Sequence, residues 1–297
     1  MVTLLHAVAI GINDYADKRY ARQAHLNFAQ ADAEEMEKVL RTSPALQPEQ
    51  IHVLTNRDAT RKKVMESLQF VFTDRFPGQN TIALFYFSGH GLHNRRDDRI
   101  WLCCSDTDFS DPNDEGGIRL NDIYEMLMRS SAECAIAIID ACYSGGIIDT
   151  SYIYHISPAE HAKKAIEALR GPDGKTIAIF AACRENQVAR EDNTNKHGRY
   201  TQALLRGWRD GEAREVDGTV NLLGLANYIT RSFADDRQVP RVSILGGKPV
   251  ILCQGTPRPA SPQEPLPQYP EPSEGIRITN DVGLPKKEDK KSRFKIL

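Results

Sequence analysis

Six cysteines in 297 residues are too few for a disulfide scaffold, and the spacings Cys103-Cys104 and Cys134 with Cys142 match no zinc pattern such as C-x-x-C. They read as reduced thiols, which implies a cytoplasmic protein. An excess of one charge is also lacking. Lysine and arginine number 38 against 40 acids, for a net charge of −2, so no global field points to nucleic acid or a membrane surface. Long hydrophobic runs are missing too. Met1 to Ile10 has neither the basic start nor the length of a signal peptide or a membrane span, and reads as a first strand.

What the chain does have is a series of short, β-branched apolar runs alternating with amphipathic segments. Val2 to Ile12, Ile51 to Thr55, Thr81 to Ser88, Ala135 to Asp140 and Thr176 to Ala181 read as strands, most of them buried on both faces. Between them, Leu26 to Leu40 places Leu26, Phe28, Ala29, Ala33, Met36 and Leu40 at helical spacing, and Arg61 to Phe72 and the stretch to Arg129 are further helices. Ser157-Pro158-Ala159-Glu160 is a capped helix start. A polar loop to Gly198 follows the Thr176 strand, then Tyr200 to Trp208 and Leu222 to Phe233 as helices, and Val239 to Leu252 as a last strand region. Such alternation implies right-handed crossovers and a mostly parallel sheet, hence an α/β fold. From Thr256 to Pro272 proline recurs too often for a packed core to continue. The expected division is an α/β domain over 1–253 and a proline-rich, mixed-charge, disordered tail over 254–297.

Two strand ends carry the chemistry. The run from Ala135 stops in Asp140-Ala-Cys142-Tyr-Ser-Gly145-Gly146, and the run from Thr81 stops in Ser88-Gly89-His90-Gly91. Ligands of open parallel sheets sit outside the carboxyl ends of the strands, so both side chains face the edge where reactions occur. A free cysteine usually just packs, and a lone histidine usually belongs to a core or a surface. Together, however, a thiol and an imidazole near pH 7 make an activated nucleophile and its base. The backbone N–H groups of Gly91 and Cys142 are candidate donors to an oxyanion, which points to acyl transfer through a thioester. A serine hydrolase built on Ser144 is the rival chemistry, but G-x-S-x-G is absent.

The paired motifs Tyr86-Phe87-Ser88-Gly89-His90-Gly91 and Asp140-Ala-Cys142-Tyr-Ser-Gly145-Gly146, in this order and interval, resemble those of the caspase-like cysteine peptidases in their metacaspase and paracaspase branch. Gly198 to Gly207 and the first strand with Leu26 to Met36 are similar to that family as well, so the likeness runs from about residue 2 to 253. It implies a three-layer α/β/α sandwich, a His90–Cys142 dyad and a polypeptide substrate. The Gln-Ala-Cys signature of the animal caspases is absent.

By the same resemblance, Asp140, Asp32 and Glu191 line a pocket for an arginine or lysine before the scissile bond. Asp140 also stands two residues before the nucleophile, on the same side of the pleat. Arg19 and Arg22 could reverse that pocket's sign by folding inward. No cofactor is required, although Asp106, Asp122 and Asp149 match acids that bind activating Ca²⁺ in some metacaspases, with Asn121 where a further aspartate is expected; ordinary turn and cap aspartates are the alternative. Relatives of this kind are switched on by cleavage after the nucleophile strand, which here points to the bond after Lys175 or to Arg190 to Lys196. A regulatory partner or a homo-oligomer stays open, and the competing class is an inactive scaffold that only docks partners.

Overall fold

Buried on both faces, the apolar runs build the middle of a six-stranded sheet. The computed structural model describes residues 3–17, 25–72, 80–94, 99–109, 117–142, 175–183, 189–233, 238–246 and 249–256. They fall in the first of two units, Met1–Pro259 and Ala260–Leu297. The tail from residue 257, the capped segment at Ser157, and Arg19, Arg22, Ser144 and Asp149 lie outside the described residues.

In chain order the first elements are β1 (Thr3–Gly11), α1 (Ala29–Thr42), β2 (Leu46–Thr55), α2 (Arg61–Phe72), β3 (Thr81–Ser88), β4 (Gly91–Asn94), β5 (Arg99–Cys103), β6 (Gly117–Arg119), α3 (Leu120–Arg129) and β7 (Cys134–Asp140). They are followed by β8 (Thr176–Ala181), β9 (Glu191–Asp192), β10 (His197–Gly198), α4 (Arg199–Trp208), β11 (Thr219–Asn221), α5 (Leu222–Ser232), β12 (Arg241–Leu245) and β13 (Ile251–Gln254). The main sheet runs β12-β8-β7-β3-β1-β2, with every pair parallel except the antiparallel β12 and β8.

Strand alternation sorts the core into two layers. Leu5, Ala7, Leu84, Tyr86, Ile136 and Ile138 face α1, α4 and α5. Val8, Ile10, Phe85, Phe87, Ala137 and Ile139 face α2, α3 and the small β4-β5-β6 sheet. This is the expected three-layer α/β/α sandwich. Pro48 sits in β2, where the edge of the sheet tolerates its missing donor.

Four expectations need correction. The first helix starts at Ala29 rather than Leu26, because the backbone N–H groups of Asn27 and Phe28 are held by the Glu191 carboxylate. The second strand begins at Leu46, five residues early, pairing along the whole of β1. The region from Val239 to Leu252 is two strands in different sheets: β12 joins β8, while β13 pairs with β11. The polar stretch before Gly198 contains a β9–β10 hairpin rather than loop alone.

Candidate active site

Adjacent parallel strands β3 and β7 end in register, with Ser88 opposite Asp140. Two residues further on each strand stand His90 and Cys142, so both leave the sheet at neighbouring carboxyl ends. The ends are tied together by the Gly89 amide, which donates to the Asp140 carbonyl at 3.2 Å. Glycine at 91 is a packing requirement: a Cβ there would run into the carbonyl oxygen of Cys142. The two backbones whose N–H groups were assigned to an oxyanion are therefore in contact.

His90 is buried and held from three sides. Its N–H donates to the Tyr15 hydroxyl at 2.8 Å, and its carbonyl accepts from Cys103 at 2.9 Å. The rings of Tyr15 and Phe109 flank the imidazole, with centroids 5.0 and 6.4 Å away. Such contacts restrict the ring to a narrow range of orientations. Cys142 is half-buried. Burial pushes its thiol above the ordinary range; an Ala189 N–H opposes the rise and the Asp140 carboxylate adds to it. The thiol therefore needs a base.

A cleft of about 390 Å³ joins these groups; His90, Cys142, Asp140, Asp32 and Glu191 all line it. Leu26, Ala29 and Leu92 form apolar wall, with Arg190 and His25 among the polar lining. The three acids are held differently. Asp140 is 4% exposed and accepts through Oδ2 from the N–H and hydroxyl of Thr201, at 3.1 and 2.7 Å. Among the described residues no donor reaches its Oδ1. Asp32, 1% exposed, uses both oxygens: Oδ1 meets His197 Nδ1 at 2.7 Å, Oδ2 accepts from Ser88 at 3.0 Å, and the Gly198 amide donates to both. Glu191 spends both oxygens on Asn27 and Phe28.

Burial raises the carboxyls of Asp32 and Asp140. For Asp140, desolvation and then the charge of Asp32 outweigh the two Thr201 hydrogen bonds, and the carboxyl is pushed up to about 7. Among the described residues the one ion pair either carboxylate makes is that of Asp32 with His197. Gly198 separates the two acids; a Cβ there would enter the space of both carboxylates.

Two of the three candidate calcium residues, Asp106 and Asp122, have protein partners. Asp106 accepts from the Arg61 amide at the start of α2, and Asp122 pairs with Arg119 at 3.0 Å. Among the described residues no group of three or more His, Cys, Asp or Glu could hold a metal ion, and Asp149 lies outside them. Lys175 donates to the carbonyls of Leu127, Met128 and Ser130 at the end of α3, so a cut after it would first have to release these bonds. Lys196 sits in the hairpin turn with φ of 58°, far from the extended backbone a protease accepts.

Sequence reading missed Tyr15, Thr201, His197 and the spacing role of Gly198. Only Tyr15, an aromatic residue in an otherwise polar turn, carried a local signal.

The Caspase domain family model matches residues 5–248. Metacaspase-1 of Plasmodium falciparum (isolate 3D7) is 26% identical over 204 residues, which are 64% of this chain and 31% of that protein. Metacaspase-3 of Arabidopsis thaliana is 25% identical over 195 residues, 61% of this chain and 52% of that protein. The chain thus spans only 31% to 52% of the length of these two curated relatives. A crystal structure of a Geobacter sulfurreducens protein superposes with a TM-score of 0.56 at 21% identity, over 84% of this chain and 95% of that one, a likeness of fold.

Proposed function

This chain belongs to the caspase-domain family, and on that premise we propose that it is a cysteine endopeptidase that cuts polypeptides after arginine or lysine. The observation that carries the reading is that His90, Cys142 and Asp140 line one cleft, from two adjacent strand ends in register.

In this reading His90 takes the Cys142 proton and the thiolate attacks the scissile carbonyl. The N–H groups of Gly91 and Cys142 receive the developing oxyanion. As the tetrahedral species collapses, the C–N bond breaks and His90 returns the proton to the departing amine, leaving a thioester. Water, deprotonated by His90, then attacks the thioester, releasing the carboxylic acid and restoring the thiol. The reaction draws on side chains and water, and no step passes through calcium.

Specificity comes from the buried acids. Guanidinium stays protonated at any working pH and pairs with carboxylates through a planar fork. Asp140 offers its open Oδ1 to the cation, while Asp32 and Glu191 add negative charge from the cleft wall. Burial and then repulsion raise Asp140, and a cation between the acids offsets both, so recognition is coupled to ionisation of the pocket.

The test uses peptides differing only before the scissile bond, carrying arginine, lysine or aspartate. The first two are expected to be cut, and Cys142→Ala and His90→Ala each to abolish cutting. Activity surviving in either variant, or cleavage after aspartate alone, overturns the reading.

A further inference from the structure

Asp140 is gripped by a residue outside both strand-end motifs. Thr201 lies in the first turn of α4 and is fully buried. Its N–H and its hydroxyl both donate to Oδ2 of Asp140. The hydroxyl has one proton, and that proton is committed to the carboxylate. The Tyr86 hydroxyl, 2.6 Å from Thr201 Oγ1, therefore donates to it. The result is a chain from Tyr86 to Thr201 to Asp140, polarised toward the carboxylate.

We propose that Thr201 is the positioning residue of the specificity pocket, holding Asp140 ionised and turned so that Oδ1 faces the substrate cation. The inference rests on the peptidase reading above and goes beyond it, since it assigns the pocket's charge state to a side chain that does not touch substrate. Both bonds go to Oδ2, so Oδ1 has no donor among the described residues, on a carboxylate that lines the cleft. Both bonds favour the charged form, against burial and the charges of Asp32 and Glu191.

Other groups around Asp140 could also shape a pH response. They are Asp32 from α1, paired with His197 of β10; Tyr86 from β3; and Tyr200 from α4. Beyond β7 stands Cys142, and Glu191 and Arg190 line the same cleft with His90 and His25. The dyad's own titration is removed by comparing, at each pH, two peptides that differ only in arginine against neutral, nearly isosteric citrulline. The ratio of their kcat/KM values reports the pocket charge.

In the wild type this ratio is expected to favour arginine and to fall as pH drops. In Thr201→Val the midpoint of that fall should move up by about one pH unit, lowering the ratio at pH 7 about fivefold, as for loss of one hydrogen bond to a charged group. Raising the pH should restore the ratio, and Thr201→Ser should bring it within about twofold of wild type. Thr201→Ala, which keeps the N–H and demands no extra room, serves in the same assay should the valine protein fold poorly. A merely structural threonine would lower the melting temperature and leave the midpoint in place; that result overturns the inference and spares the peptidase reading. A wild type that cuts arginine and citrulline peptides equally well takes down both.

Discussion

Asp140 and Ser88 are register partners on neighbouring parallel strands, and each stands two residues before a reactive side chain of the cleft. This one pairing puts Asp140 beside Cys142 rather than across the cleft from it, so the carboxylate acts on the thiol.

From that proximity comes an outcome with opposite signs. The Asp140 carboxylate is one of the groups holding the Cys142 thiol protonated. Asp140→Asn should therefore increase the thiolate fraction at neutral pH and speed alkylation by iodoacetamide. The same change removes the partner of the substrate cation and should lower kcat/KM for arginine peptides by about thirtyfold to several thousandfold. Alkylation rates and peptide cleavage, measured on one preparation, check both. Slower alkylation in the variant would mean that the carboxylate aids the thiol.

The buried acids also set a pH dependence of stability. A carboxyl whose folded pKa lies above its unfolded value binds more protons in the folded state, so stability falls as pH rises between the two values. For Asp140 that window runs from the ordinary 3.8 to about 7. The protein without substrate should melt lower at pH 8 than at pH 5 through this contribution. Asp140→Asn should melt above wild type at pH 8, with the gap closing toward pH 4. Thermal melts at the three pH values decide it; a gap of the same size at every pH would refute the assignment.

The two reactive strand ends were legible because apolar runs broken by Gly89, Gly91 and Gly145 mark strand termini in any α/β protein. The place of Asp140 beside the thiol was legible from pleat parity, while a pocket role for it came only with the family likeness. Asp32 entered through family likeness, since nothing local distinguishes a buried acid near the start of α1 from its solvated neighbours Glu34 and Glu35. Thr201 and His197 could not be read at all. Each acts on a carboxylate 61 or 165 residues away, and only the packing of α4 and the hairpin against the sheet brings them there. Asp106, singled out by family likeness alone, caps a helix 45 residues earlier in the chain, a contact no local pattern announces.

Gly198 separates two carboxylates rather than making a turn; its φ of −56° and ψ of 137° suit any residue. Gly198→Ala should keep the backbone but drive a methyl group into the space of Asp32 and Asp140. Since the Gly198 amide also donates to Asp32, displacement costs hydrogen bonds as well as room. Overpacking of this kind destabilises by about 1–3 kcal/mol. We expect a lower melting temperature together with a reduced arginine-to-citrulline ratio. A variant that melts lower but keeps its full ratio would show that the acids move as one body without losing their grip on the cation.

Glu191 has two roles open to it in the cleft, and one substitution separates them. Its carboxylate accepts from the amides of Asn27 and Phe28 at 2.7 and 2.9 Å and from the Asn27 side chain at 2.9 Å. Helix α1 has no side-chain cap from its own N-cap residue; Asn13 accepts from the first-turn Gln30 amide, and Glu191 holds the two residues that lead into the helix. Losing that hold should cost about 1 kcal/mol, and in a domain of this size about 2–4 °C of melting temperature. The residues it secures adjoin His25 and Leu26, which form part of the cleft wall. In Glu191→Ala the wall should loosen, giving faster amide exchange at Asn27 and Phe28 and a higher KM. Because both its oxygens are engaged by protein donors, its charge reaches the cation only through space, and the rise in KM for the arginine peptide should exceed that for citrulline by no more than about twofold. Should the arginine peptide alone suffer, Glu191 pairs with the cation directly, and its bonds to Asn27 and Phe28 must then open when substrate binds.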